Sequence, residues 1–119
     1  MHQEKTASLR LCLCALGLAA LLTWPLAVGS QVRIGQTAGF SGPVAAGVKE
    51  TTDGARLYLD AVNAKGGVHG QPIELLSMDD KFDPKLAAEN ANTLIGEKQV
   101  IGMFLTRGTP HTQAILPLL

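Results

Sequence analysis

A short segment near the carboxyl end of the chain concentrates the side chains that could do chemistry. The stretch FLTRGTPHTQ, residues 104–113, brings hydroxyls, a guanidinium, a glycine and an imidazole together directly after an apolar run. A hydrolytic triad would need a hydroxyl nucleophile in contact with His111 and a third group to orient the ring. Thr109 and His111 are two positions apart at the start of a predicted helix, so their side chains diverge. We therefore expect no catalytic residue and no enzyme activity.

A glycine-rich loop and a cluster of acids are the next candidates for chemistry. The loop GFSGPVAAG, residues 39–47, lacks the lysine of a Walker loop and the GxGxxG spacing of a dinucleotide site. Asp79, Asp80 and Asp83 lack the alternating oxygen ligands and terminal glutamate of a calcium loop. We expect no metal and no cofactor. The pattern favours Asp83 as a helix cap, with the other two acids bonded to neighbouring loops.

The segment at residues 104–113 is better suited to binding an anion. It lies at the carboxyl end of a predicted strand that leads into a helix, where parallel α/β sheets bind their ligands. The first backbone amides of a helix lack hydrogen-bond partners, and the helix dipole favours negative charge at that end. The segment is therefore suited to bind the α-carboxylate of a ligand. Arg107 has two interpretations: a bidentate partner of a carboxylate, which would favour acidic or dicarboxylate ligands, or a solvent-facing side chain at the cleft rim. We expect His111 to point outward.

The elements that must position this segment alternate between strand and helix. Strand patterns cover residues 31–38, 73–78 and 99–106, and helix patterns follow them at 48–64, from Asp83-Pro84 to about Gly96, and from Thr109-Pro110 onward. The order predicts an α/β fold with a parallel, Rossmann-like βαβαβα sheet and right-handed crossovers. Three such strands leave sheet edges and one helix face uncovered, so we interpret the chain as an incomplete N-terminal piece of a longer protein or as a truncated gene product.

The first thirty residues indicate export. A short basic leader precedes an apolar run at 11–22, and small residues follow, so we predict a signal peptide over residues 1–30 with cleavage after Gly29 or Ser30. A membrane anchor is the alternative, but a threonine and a proline interrupt the run before the ~20 apolar residues that a span needs. Lys and Arg number 10 against 10 acidic residues, without blocks of like charge, so we expect no nucleic-acid partner.

The motifs together resemble a known family. IGQTAGFSGPVAAG, then NAKGGVHGQPIEL followed by DDKFDP, and finally VIGMFLTRGTPHTQAILPLL look like the start of a type I periplasmic substrate-binding protein of the branched-chain amino acid ABC importers. The similarity covers nearly all of residues 32–119. It implies two Rossmann-like lobes that close on a ligand, with residues 31–119 forming part of the N-terminal lobe.

The resemblance also implies a function and a set of site residues. The protein would capture an amino acid or related small carboxylate in the periplasm and deliver it to ABC permease subunits in the membrane. Several relatives carry an aromatic residue where this sequence has Gly47, and the family favours small or hydroxyl residues where it has Arg107. A ligand-sensing receptor domain of the same fold and a non-functional fragment are the alternatives. The implied ligand-binding residues are Thr106, Arg107, Gly108, Thr109, Phe40 and Ser41.

Overall fold

The computed structural model describes residues 30–119, and the predicted signal peptide lies almost entirely outside the described residues. Among residues 30–119, no helix combines the length and the apolar character that a membrane span requires. Strands and helices alternate as predicted over the first four elements. The regular elements are β1 (Val32–Ala38), α1 (Ala45–Ala64), β2 (Ile73–Asp79), α2 (Pro84–Asn92) with a π-helical turn (Thr93–Glu97), and α3 (Thr109–Ile115) with a 3-10 turn (Leu116–Leu118).

The two strands form the parallel pair that the sequence predicts. They run in register from Val32 opposite Ile73 to Ala38 opposite Asp79. Helix α1 makes the crossover between them, which a parallel pair requires because its strands start at the same edge. The carboxyl ends of both strands therefore lie side by side.

The prediction of a regular third strand over residues 99–106 is wrong. A short parallel segment does lie along β1 on the side away from β2: Gly35 N donates to Gly102 O at 2.9 Å, and Phe104 N donates to Gly35 O at 2.7 Å. Ile101 N donates to Arg33 O at 2.8 Å, one residue out of that register, so the ladder is bulged. Gln99 (φ 55°) and Leu105 (φ 53°) leave the extended region and limit the segment at both ends.

Helix α1 begins earlier than predicted and ends as predicted. It starts at Ala45, three residues before the predicted Val48. At the other end, Gly66 N donates to Asn63 O at 3.0 Å and Gly67 N donates to Val62 O at 3.0 Å. This pair of bonds is a Schellman cap, which is why the Lys65-Gly66-Gly67 sequence ends the helix.

Helix α2 contributes Ala87 and Ala91 to the hydrophobic core of the described residues. The Asp83 carboxylate accepts from Lys85 N at 2.8 Å and Pro84 opens the first turn, which confirms the predicted cap. The helix runs on through the π-helical turn to Glu97, past the predicted end near Gly96. One face of the helix and its π-helical turn is buried or half-buried: Leu86, Ala87, Asn90, Ala91, Leu94 and Ile95.

Candidate functional site

A cavity opens at the carboxyl end of β1. Its volume is about 270 Å³, and its walls come from β1, from the first two turns of α1 and from the segment that follows the bulged edge. This is the position where parallel α/β sheets bind ligands. The lining residues are Gln36, Ala38, Val48, Thr51, Leu105, Thr106 and Arg107.

The polar side chains deep in the cavity are already bonded within the protein. The amide of Gln36, which is only 1% exposed, donates to Thr52 Oγ1 at 3.0 Å and accepts from Ser77 Oγ at 2.9 Å. Thr51 Oγ1 donates to Gly47 O at 2.8 Å, the carbonyl one turn earlier in α1. These groups stabilise the wall, and they leave few polar atoms for a ligand.

Arg107 is the charged group of the cavity lining. Its guanidinium lies against Gly47 so closely that a Cβ atom added at Gly47 would be 2.9 Å from Nη1. Among residues 30–119 the guanidinium makes no hydrogen bond, and the ion pair of that region joins Arg33 to Glu74 instead. The Thr106 hydroxyl likewise has no hydrogen-bond partner in the described part of the chain. The cavity therefore presents a guanidinium and a hydroxyl beside apolar walls.

Thr109 begins the last helix, as predicted, but it does not cap it. Gly108, with φ 101°, occupies the N-cap position, Thr109 is the first helical residue, and no side chain caps the helix. The Gly108 carbonyl accepts from both the amide and the hydroxyl of Thr112, at 3.0 and 3.2 Å. Gly108 and Thr109 adjoin the cavity-lining residues in sequence but do not line the cavity themselves.

The prediction that His111 points outward is also wrong. The side chain is 2% exposed and its ring stacks on Phe82, with centroids 4.7 Å apart and planes at 28°. Neither ring nitrogen has a hydrogen-bond partner among the described residues. Phe82 adopts φ 61° in the loop after β2, which carries its ring toward α3. His111 is therefore a packing residue in this structure.

Phe40 and Ser41 belong to the loop after β1 and lie outside the cavity lining. Ser41 Oγ donates to Asp79 Oδ2 at 2.6 Å and Ser41 N donates to Asp79 Oδ1 at 3.2 Å. The hydroxyl bond, together with amides of Lys81, Ser41 and Phe40, holds the pKa of Asp79 below its usual 3.8. The predicted role of this acid in fixing a neighbouring loop is confirmed.

Asp80 has the same kind of role in the buried interior. Its carboxylate accepts from Thr37 Oγ1 at 3.1 Å and from Phe82 N at 2.9 Å, and the residue is fully buried. With Asp83 engaged as the helix cap, the three acids are held by separate partners. Across residues 30–119, no three His, Cys, Asp or Glu side chains come together in a way that could hold a metal ion.

The cavity contains residues that the sequence did not single out. Gln36 is a buried polar residue in a strand, and that pattern is the signal that could have found it. Val48 and Thr51 come from α1, and only the packing of that helix on β1 places them in the same wall. Of the six predicted ligand-binding residues, Thr106 and Arg107 line the cavity.

Comparison with known proteins identifies the family. The family described as "Periplasmic binding protein" matches residues 31–119. The chain belongs to this family. The "Periplasmic binding Protein Type 1" of Bordetella pertussis aligns over 75% of this chain with a TM-score of 0.68 and 26% identity, and this chain covers 24% of it. The described part is thus the beginning of a type I periplasmic binding protein fold.

Several relatives of this periplasmic binding protein carry names that state a ligand. The Leu/Ile/Val-binding protein homolog 7 of Brucella suis is 36% identical over 79% of this chain and 23% of its own length. The Leu/Ile/Val-binding protein of Escherichia coli K12 is 33% identical over 78% of this chain and 26% of its own length. The chain thus spans about a quarter of the length of these curated relatives.

A solved relative gives the same picture for the fold. The branched-chain amino acid transporter substrate binding protein LivJ of Streptococcus pneumoniae, in complex with isoleucine, aligns with a TM-score of 0.69 and 28% identity. The alignment covers 74% of this chain and 25% of LivJ.

Proposed function

We propose that this chain is part of the exported solute-binding component of an ABC importer, and that it binds an amino acid or a related small carboxylate. The observation that carries the proposal is the cavity at the carboxyl end of β1, where a guanidinium and a hydroxyl without partners among residues 30–119 stand beside apolar walls. The names of the relatives support the ligand class, because they include Leu/Ile/Val-binding proteins and a transporter protein in complex with isoleucine.

The cavity lining suits an amphipathic anion. Ala38 and Val48, which are almost fully buried, form the apolar part of the wall, and the half-buried Leu105 offers surface whose burial by a ligand contributes roughly 25 cal/mol per Å². Thr106 and Arg107 donate to a carboxylate, and hydrogen bonds to a charged group contribute about 1.5–3 kcal/mol each. In this proposal Gly108, Thr109, Phe40 and Ser41 border the same cleft and contact the ligand when it closes.

Binding in this proposal involves no chemical change of the ligand. A second lobe closes over the bound carboxylate by a hinge motion, and the closed form is recognised by permease subunits in the membrane. Residues 1–30 direct export and are removed, so the mature protein acts in the periplasm.

Calorimetric titration of the mature protein tests this function. We expect saturable binding of at least one ligand from a panel of leucine, isoleucine, glutamate and succinate. Thr106→Val, which removes only a hydroxyl donor to the carboxylate, should weaken that binding about 10- to 100-fold. Thr93→Val, at the end of α2 and outside the cavity lining, is the control and should bind as the wild type does. Equal affinities for both variants and the wild type would place the binding site elsewhere.

A further inference from the structure

We infer that Gly47 and Arg107 act as a pair that makes this cavity selective for ligands of net negative charge, namely small dicarboxylates and acidic amino acids, over neutral amino acids. The inference rests on the proposed function, since it specifies which carboxylates the cavity accepts. The selectivity is inferred from the contact between these two residues, which lie far apart in the sequence.

Gly47 provides the space that the guanidinium occupies. A Cβ atom at this position would be 2.9 Å from Arg107 Nη1, 3.6 Å from Nη2 and 3.7 Å from Cζ. A side chain longer than alanine would project further into the same volume. The position of the guanidinium at the cavity wall therefore depends on the absence of a side chain at residue 47, and an aromatic residue there would exclude it.

Gly47 has no conformational need to be glycine. Among residues 30–119 the glycines with positive φ are Gly42, Gly66, Gly67, Gly70 and Gly108, and Gly47 is not one of them. It lies in the first turn of α1, where alanine is the better helix former. The close approach of Arg107 is the structural feature that accounts for a glycine at this position.

The charge of the guanidinium is uncompensated in the cavity. No Asp or Glu is among the lining residues, and within residues 30–119 Arg107 forms no ion pair. The amide of Gln36 is held by Thr52 and Ser77, so it does not turn toward the guanidinium. A bidentate carboxylate satisfies two donors of the planar guanidinium at once, whereas an uncharged amide presents one neutral acceptor.

Two matched ligand pairs test the inference on the mature protein by calorimetry: glutamate against glutamine, and succinate against its monoamide, succinamate. Each pair differs by one carboxylate at nearly constant shape. We expect the member with the additional carboxylate to bind about 10- to 100-fold more tightly in at least one pair. In Arg107→Ala the ratio of the two affinities should fall close to one. Arg107→Lys keeps the charge but not the planar fork, so its ratio should be intermediate.

Gly47→Ala separates selectivity from folding. It should lower the ratio by displacing the guanidinium, without lowering the thermal midpoint, because the clashing atoms are the far end of a flexible side chain. Gly54→Ala is the matched control: Gly54 lies in the same helix, a Cβ there meets nothing within 4 Å, and the wild-type ratio should persist.

The outcomes distinguish this inference from the proposed function. If leucine, glutamine or succinamate binds at least as tightly as glutamate and succinate, the proposed function stands and the selectivity inference is overturned. A ratio unchanged by both Arg107→Ala and Gly47→Ala also overturns it. If none of these carboxylates binds, both proposals fail.

Discussion

Replacement of Gly108 by alanine should destabilise the protein through two separable effects. The first is conformational: Gly108 has φ 101°, where residues with a side chain are strained by about 1–3 kcal/mol. The second is steric, because the new Cβ would lie 2.5 Å from Nδ1 of His111 and 3.1 Å from its Cε1. The imidazole is 2% exposed and stacked on Phe82, so it has little room to retreat.

The size of the combined effect follows from these contacts. Overpacking of a well-packed site costs about 1–3 kcal/mol, so we expect Gly108→Ala to lower the free energy of unfolding by about 2–6 kcal/mol in total. Urea denaturation of the mature protein without ligand, followed by circular dichroism, measures this change. In a His111→Ala background the steric part disappears, and only the conformational part of the Gly108→Ala effect should remain.

Gly42 supplies the control for the conformational effect alone. It has φ 81°, and a Cβ at this position meets nothing within 4 Å. Gly42→Ala should therefore show strain without a clash and destabilise less than Gly108→Ala. If the two variants are equally destabilised, or if His111→Ala does not relieve the Gly108→Ala variant, the steric argument is refuted.

Two further predictions concern side chains that fix the backbone. The Asn63 amide donates to Ile73 O at 2.8 Å and accepts from Ile73 N at 2.7 Å. Asn63→Ala should therefore lower the free energy of unfolding by about 1–3 kcal/mol in urea denaturation. A loss under about 0.5 kcal/mol would contradict a stabilising role of these two hydrogen bonds. The pKa of Asp79 is lowered in the folded protein, chiefly by the Ser41 hydroxyl, so its stabilising effect is complete above its ordinary value of 3.8 and is lost as the pH falls below it. Ser41→Ala should therefore lose less stability than the wild type in an acid titration, and identical profiles would exclude this bond as the cause.

The features that the sequence predicted well are those with local causes. Asp83 and Pro84 define a helix start through their own side-chain chemistry, and Gly66-Gly67 define a helix end through their access to positive φ. The parallel arrangement of β1 and β2 follows from the helix between them. Each of these predictions needed only a few neighbouring residues.

The features that the sequence missed depend on contacts between distant segments. The apolar run at 99–106 has the composition of a buried strand, yet a Cβ at Gly35 would be 3.1 Å from both Met103 Sδ and Val100 Cγ2. Side chains of this run therefore pack closely against Gly35 of β1, and the hydrogen-bond ladder between β1 and this run is bulged there. His111 is polar and stands at a helix start, but Phe82 from the loop before α2 covers it.

At the candidate site, Gly47 and Arg107 raised two separate questions in the sequence. The resemblance implies an aromatic residue in several relatives at the position of Gly47, and small or hydroxyl residues at the position of Arg107. In the structure the guanidinium occupies the space that a side chain at residue 47 would fill, so the two residues together set the shape and charge of a single wall. A ligand that packs on an aromatic wall gains nothing from a guanidinium. A guanidinium in the wall disfavours a ligand that has no carboxylate to pair with it. A double-mutant cycle on both residues should thus show strong coupling in ligand selectivity, since either change alone removes the charge from the wall.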